Sequence, residues 1–158
     1  MSRIRIEIAL LTVLALGGGG CAESVDPDVL ASYPIDGYQS WTKRVDVRGN
    51  APGHTNSYRV IYADPVAADP AQDFRLGYQE GSIFVKEVRD DVDGQPGDLR
   101  YLAIMRRIGP VTAALVDDGG WLYTETASPT GPEQHFDFCW NRCHVAAPYN
   151  GAFYDYRE

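Results

Sequence analysis

The stretch Ser82-Ile83-Phe84-Val85-Lys86-Glu87-Val88-Arg89 decides how the chain is read. It is rich in β-branched and aromatic residues, and successive side chains of a strand point to opposite faces. Phe84, Lys86 and Val88 therefore share one face, and Ile83, Val85 and Glu87 the other. A lysine flanked by Phe and Val must snorkel, find a partner or enter a pocket. Upstream, residues 57–63 repeat the pattern, with Tyr58, Val60 and Tyr62 on one face and Arg59 and Ile61 on the other. Asp64-Pro65 then has the form of a helix start, a carboxylate cap followed by proline, and predicts a helix to about residue 76. Downstream, Asp90-Asp91-Val92-Asp93-Gly94-Gln95-Pro96-Gly97 reads as a hairpin loop. It lacks the acid spacing and the terminal glutamate of a calcium loop. Residues 99–108 and 120–126 are two further strands.

The N-terminal side is less regular. Val29, Leu30, Tyr33, Tyr38 and Trp41 are interrupted by Pro34 and Gly37, which predicts two short helices between residue 27 and residue 44. Residues 48–56 are loop by composition, and His54 within them reads as a solvated loop histidine. These elements describe one domain of the α+β class, a mainly antiparallel β-sheet with short flanking helices.

Residues 1–20 have a different character. Arg3 and Arg5 precede an apolar run from Ile8 to Leu16, too short to span a bilayer comfortably. Gly17-Gly18-Gly19-Gly20-Cys21 follows and resembles a bacterial lipoprotein cleavage box, with Gly18 standing where such boxes usually carry leucine. The expectation is a lipoprotein-type signal peptide over 1–20, a lipidated Cys21 and a tether over 21–32, and a folded domain over 33–158. The mature chain is expected outside the cytoplasm, held to a membrane by its lipid and facing the periplasm or the exterior. The chain carries a formal charge of −8, and losing Arg3, Arg5 and Glu7 takes this to −9. So acidic a domain disfavours nucleic acid and anionic lipid surfaces as partners.

With Cys21 set aside, the remaining cysteines lie in Cys139-Trp140-Asn141-Arg142-Cys143-His144. Two thiols followed at once by an imidazole suit thioether attachment of haem, with the histidine as axial ligand to iron. The usual form is C-x-x-C-H, and here one extra residue separates the cysteines. On a helix, i,i+3 and i,i+4 spacings both keep two side chains on one face. A local disulfide, or a zinc half-site with His135 or His144, would use the same residues.

The order of these pieces resembles the cytochrome P-460 family and its relatives, the beta-type cytochromes c′. The resemblance runs over residues 33–156. It is carried by Tyr38-Gln39-Ser40-Trp41, Arg59-Val60-Ile61-Tyr62, Gly81-Ser82-Ile83-Phe84-Val85-Lys86-Glu87, Gly119-Gly120-Trp121 and Cys139 to His144. The resemblance implies a C-terminal segment that binds haem c, anchored by Cys139 and Cys143 with His144 as the iron ligand. It matches Lys86 to a lysine that bonds covalently to the haem macrocycle in some members, and Arg59 to a donor on the open side of the iron. It implies nitric oxide or hydroxylamine as ligand, a periplasmic redox partner and a homodimer.

Members that oxidise hydroxylamine use a glutamate on the third strand as proton acceptor, but Arg100-Tyr101-Leu102-Ala103-Ile104 contains no carboxylate. Glu125 or Glu87 would have to substitute. The expectation is therefore ligand binding above turnover, with position 102 or 104 as the place where an added glutamate would help. A lipoprotein that kept the fold without haem, with Cys139 and Cys143 as a disulfide, is the other reading.

Overall fold

The computed structural model describes residues 23–73, 77–108 and 120–157. The signal-peptide and lipidation readings, Cys21 included, lie outside these residues. The strands are β1 (Glu23–Ser24), β2 (Thr42–Gly49), β3 (Ser57–Ala63), β4 (Ile83–Val92), β5 (Gln95–Arg107), β6 (Trp121–Thr126) and β7 (Gln134–His135). Two short helices accompany them, α1 (Pro27–Ser32) and α2 (Phe138–Arg142). Single 3₁₀ turns form at Tyr38–Ser40 and His144–Ala146. No helix among the described residues is long and apolar enough to cross a membrane.

The strands form one sheet in the order β1-β7-β6-β5-β4-β3-β2, and every pairing is antiparallel. From β2 to β7 the chain is a meander. β1 closes the far edge, so the connection from β1 to β2 must run from one edge of the sheet to the other. This connection covers one face of the sheet. Ile35 and Tyr38 pack there on Ile83, Val85, Leu102 and Ile104, while Val25, Val29 and Leu30 pack near Ile108 and Leu122. β1 and α1 fall within the stretch read as a tether, and both are docked on the sheet. Asp26 caps α1 by accepting a hydrogen bond from the Asp28 amide at 2.9 Å, and Pro27 opens it.

The strand readings hold, with longer hairpin arms than expected. The eight residues read as a loop contract to a two-residue turn, because Asp93 (φ 52°) and Gly94 (φ 83°) both adopt the left-handed backbone that a tight hairpin requires. Two readings are corrected. Residues 42–49 are an edge strand along β3, not helix followed by loop. A register shift between Lys43 and Val45 and four charged residues mask its alternation, as is common at sheet edges. The helix after Asp64 does not form over the described residues. Asp64 accepts from the Ala67 amide at 2.8 Å and the Ile83 amide at 2.9 Å, which ties a single turn to the start of β4. Pro70 then lacks the amide a continuing helix would use.

On the face covered by the N-terminal connection, buried charges are paired. Glu87 accepts from the Tyr38 hydroxyl at 2.7 Å and from Arg89 at 2.8 Å. The Arg106 guanidinium meets Glu133 through two hydrogen bonds, at 2.6 and 2.7 Å, and also donates to Thr124 and to the Tyr33 carbonyl. Its side chain is 1% exposed and that of Glu133 8%, so removing one partner strands a buried charge. Glu133→Ala is expected to lower stability by about 3–5 kcal/mol. The exposed Arg100–Asp90 pair sets the contrast, and Asp90→Ala should change stability by less than about 1 kcal/mol. Urea denaturation of the two variants checks both values.

Candidate functional site

The opposite face of the sheet carries the chemistry. Register places Ile61, Lys86, Ala103 and Glu125 in one row across β3, β4, β5 and β6, and Arg59, Val88 and Tyr101 in the next row but one on the same face. Lys86 and Glu125 are two strand spacings apart, roughly 10 Å along the row. An apolar end of this face holds Ala63, Phe84, Trp121 and Tyr123, packed with Tyr78 and Tyr156.

His54 is corrected from a solvated loop residue to a member of this cluster. It is half-buried, and its Nε2 lies 2.6 Å from Lys86 Nζ while its Nδ1 lies 2.7 Å from the Tyr101 hydroxyl. A neutral imidazole satisfies both contacts by accepting at Nε2 and donating at Nδ1. Arg59 is buried and holds the loop in place through Nη1, which donates to the carbonyls of Gly49 at 2.8 Å and His54 at 3.2 Å. Nothing short of the folded loop brings residue 54 to residue 86.

The C-terminal segment lies against the same face. Cys139 and Cys143 are half-buried thiols at either end of α2, and Cys139 and Trp140 pack on the aromatic cluster. At Cys143 the backbone leaves helical geometry (φ −129°, ψ −61°), and His144 follows immediately. His144 Nδ1 donates to the Gly151 carbonyl at 2.7 Å, and the ring packs 4.6 Å from Tyr123 and 5.1 Å from Phe153. Among the described residues its Nε2 makes no hydrogen bond.

Gly151 is the residue sequence reading missed. Its φ is +92°, and an added Cβ would stand 2.8 Å from the Trp121 indole nitrogen and 2.9 Å from the Tyr123 hydroxyl. The Trp121 indole donates to the Asn150 carbonyl at 2.6 Å, which fixes the loop beside it. The sequence signal was Asn150-Gly151, a pair favoured where φ is positive.

Burial sets the protonation states. Lys86 is pushed down to about 8, first by burial and also by Arg59, against the opposing pull of Cys139, Glu125 and Cys143. His54 falls to about 3, through burial and then the neighbouring Lys86, Arg59 and His144. His144 falls to about 4 by burial, partly offset by its bond to Gly151. Burial raises Glu125, and Lys86 opposes that shift. Both imidazoles are therefore neutral at neutral pH, the form that can ligate a metal.

The structure thus gathers Lys86, Arg59, Glu125, Cys139, Cys143 and His144 on one side of the sheet, with His54 and Tyr101. It separates others. Glu87 belongs to the opposite face, committed to Tyr38 and Arg89, so it cannot stand in as a proton acceptor here. Leu102 and Ile104 also face that side, fully buried, which corrects the expectation for an added glutamate. The position on the Lys86 face is Ala103. His135 pairs with Thr124 on the far face and bonds the Tyr123 carbonyl, away from the cysteines. Among the described residues no three His, Cys, Asp or Glu side chains converge as a metal site would require. No protein-family model matches the chain, and no curated protein matches it.

Because Gly151 holds His144 where no Cβ fits, Gly151→Ala should destabilise the domain by about 1–3 kcal/mol. It should also release the His144 ring, raising its midpoint from about 4 toward the ordinary histidine value. Thermal melting and histidine NMR titration read the two effects separately.

Proposed function

We propose that this chain is an exported haem c protein of the cytochrome P-460 type, which binds small nitrogen oxides such as nitric oxide or hydroxylamine. The observation that carries the reading is His144. Its Nδ1 is committed to the Gly151 carbonyl, so the lone pair of a neutral ring is at Nε2, on the residue that directly follows Cys143. Metal-ligating histidines are commonly held this way by a second hydrogen bond. The donor set fits the group: two thiols and one oriented imidazole, against an aromatic face. Haem iron bound there would supply an open coordination position and one-electron redox chemistry.

The chain's own residues have distinct parts in this reading. Cys139 and Cys143 anchor, one in the first turn of α2 and the other at its C-terminal cap. Arg59 keeps Nη1 on the loop carbonyls and leaves its remaining N–H groups to meet a ligand carrying partial negative charge. Lys86 is the residue the resemblance assigns to a bond with the macrocycle. Lipid at Cys21, a membrane-anchored location and a periplasmic redox partner belong to the same proposal.

Haem staining after denaturing electrophoresis tests it, with a host that has cytochrome c maturation. A covalently stained band is expected, and Lys86→Ala should leave the stain while shifting the spectrum toward an ordinary c-type haem. A colourless chain of unmodified mass, with Cys139 and Cys143 joined, would instead support the haem-free reading.

One observation favours turnover as a second reading. Glu125 supplies on β6 the carboxylate that β5 lacks, in the same row as Lys86, and burial makes it a better proton acceptor than an exposed glutamate. Its Oε atoms can take a proton from a bound hydroxylamine, assistance worth about 10²–10⁴-fold in rate. Glu125→Gln should lower hydroxylamine oxidation by about 10²-fold and leave nitric oxide affinity unchanged. Stopped-flow binding and a steady-state assay with an artificial acceptor read the two quantities.

A further inference from the structure

We propose that Lys86, His54 and Tyr101 form a reactive-lysine site, in which Lys86 is a nucleophilic amine toward small aldehydes and His54 with Tyr101 carries its proton away. This concerns the chain before any haem is bound, since a Lys86 bonded to the macrocycle would have no free amine, and every group involved is a side chain in place without haem.

The geometry is unusual for a lysine. Lys86 Nζ contacts an imidazole nitrogen at 2.6 Å, and among the described residues it has no ion pair. Isolated lysines in folded proteins more often reach water or a carboxylate. Here the nearest carboxylate in the row, Glu125, is two strands away. The groups facing Lys86 are Arg59 from β3, His54 from the loop, Tyr101 from β5, Glu125 from β6, and Cys139, Cys143 and His144 from the C-terminal segment. Arg59 and burial work against the ammonium form.

The chain of contacts continues past His54. Nδ1 meets the Tyr101 hydroxyl at 2.7 Å, and that hydroxyl is within 3.4 Å of the carbonyl of Gly53, an exposed loop residue. Burial disfavours a full imidazolium here. A proton can still cross if Nε2 takes it from Nζ while Nδ1 gives its own to the Tyr101 oxygen and the phenolic proton passes to water at the exposed Gly53 loop, leaving the ring and the phenol neutral at the end.

The chemistry balances without an oxidant. The Nζ lone pair attacks the carbonyl carbon, forming a C–N bond as the carbonyl π bond becomes an alkoxide. Nζ loses one proton to His54, and the alkoxide takes up one. Loss of a second proton from nitrogen and of the oxygen as water then gives the imine. Cyanoborohydride traps the imine once water has protonated its nitrogen, adding a hydride to the carbon and leaving a stable secondary amine.

The sequence offers an internal control, because Lys43 and Lys86 are its only lysines, and Lys43 is exposed on β2. The test is reductive methylation of the full-length, haem-free chain with formaldehyde and cyanoborohydride across pH, read at each lysine by peptide mass spectrometry. The urea-unfolded chain sets the baseline ratio. Lys86 should reach half-maximal modification near about pH 8, well below an ordinary lysine at about 10.4. At pH 7.5 it should be labelled about tenfold or more in preference to Lys43. His54→Ala, which removes the acceptor of the Nζ proton, should slow Lys86 modification at pH 7.5 by about tenfold, and Tyr101→Phe, which removes a single oxygen, should slow it by less. A native ratio equal to that of the unfolded chain would overturn the proposal, as would a Lys86 that stays unmodified while Lys43 reacts. A Lys86 rate unchanged in both variants would remove His54 and Tyr101 from it. Haem staining is independent of all these outcomes, so failure here and failure of the haem reading are distinguishable.

Discussion

The pleat of β4, locked between β3 and β5, is the constraint from which the rest follows. Side chains of a paired strand alternate, and a slip of one residue would move every one of them to the other face. With Ile61 opposite Lys86 and Lys86 opposite Ala103, the register leaves Glu87 on one side and Lys86 on the other. Adjacent residues of opposite charge are thereby assigned to different environments. Glu87 enters a paired, buried network, and Lys86 enters a cluster with His54 and Arg59 in which, among the described residues, it makes no ion pair.

The two faces of the sheet resolve burial differently. On the N-terminal side, Glu87 with Tyr38 and Arg89, and Arg106 with Glu133 and Thr124, satisfy one another, as buried charges must to be tolerated. On the C-terminal side, Lys86, His54, Glu125 and His144 are held half-buried without ion pairs among the described residues, and burial displaces each toward its neutral form. Perturbed titrating groups gathered in this way are the usual mark of a working site rather than of a stabilising network.

Gly151 links that site to the core. Its backbone carbonyl fixes the His144 tautomer, and its missing side chain admits Trp121 and Tyr123, which anchor the aromatic end of the same face. The orientation of one imidazole thus depends on a tight loop and two strand residues about thirty positions away. The sheet supplies the platform, and the terminal segment supplies the imidazole and the two thiols.

Much of this was legible in the residues alone. The alternation at 57–63 and 82–89, the presence of a hairpin connection within 90–97, the Pro-punctuated N-terminal helices and the Cys-Cys-His cluster are local patterns, and local sterics and periodicity determine them. The lone lysine between Phe84 and Val88 was visible as an anomaly for the same reason. The edge strand at 42–49 was not, because its bulge and charges erase the periodic signal, and the turn after Asp64 was not, because its cap is shared with β4. Which lysine partner, which carboxylate and which glycine belong to the site was decided by tertiary structure. Residue 54 meets 86, 125 lines up with 86, and 151 holds 144 only once strand register and loop closure bring distant segments together, and no short-range pattern encodes those distances.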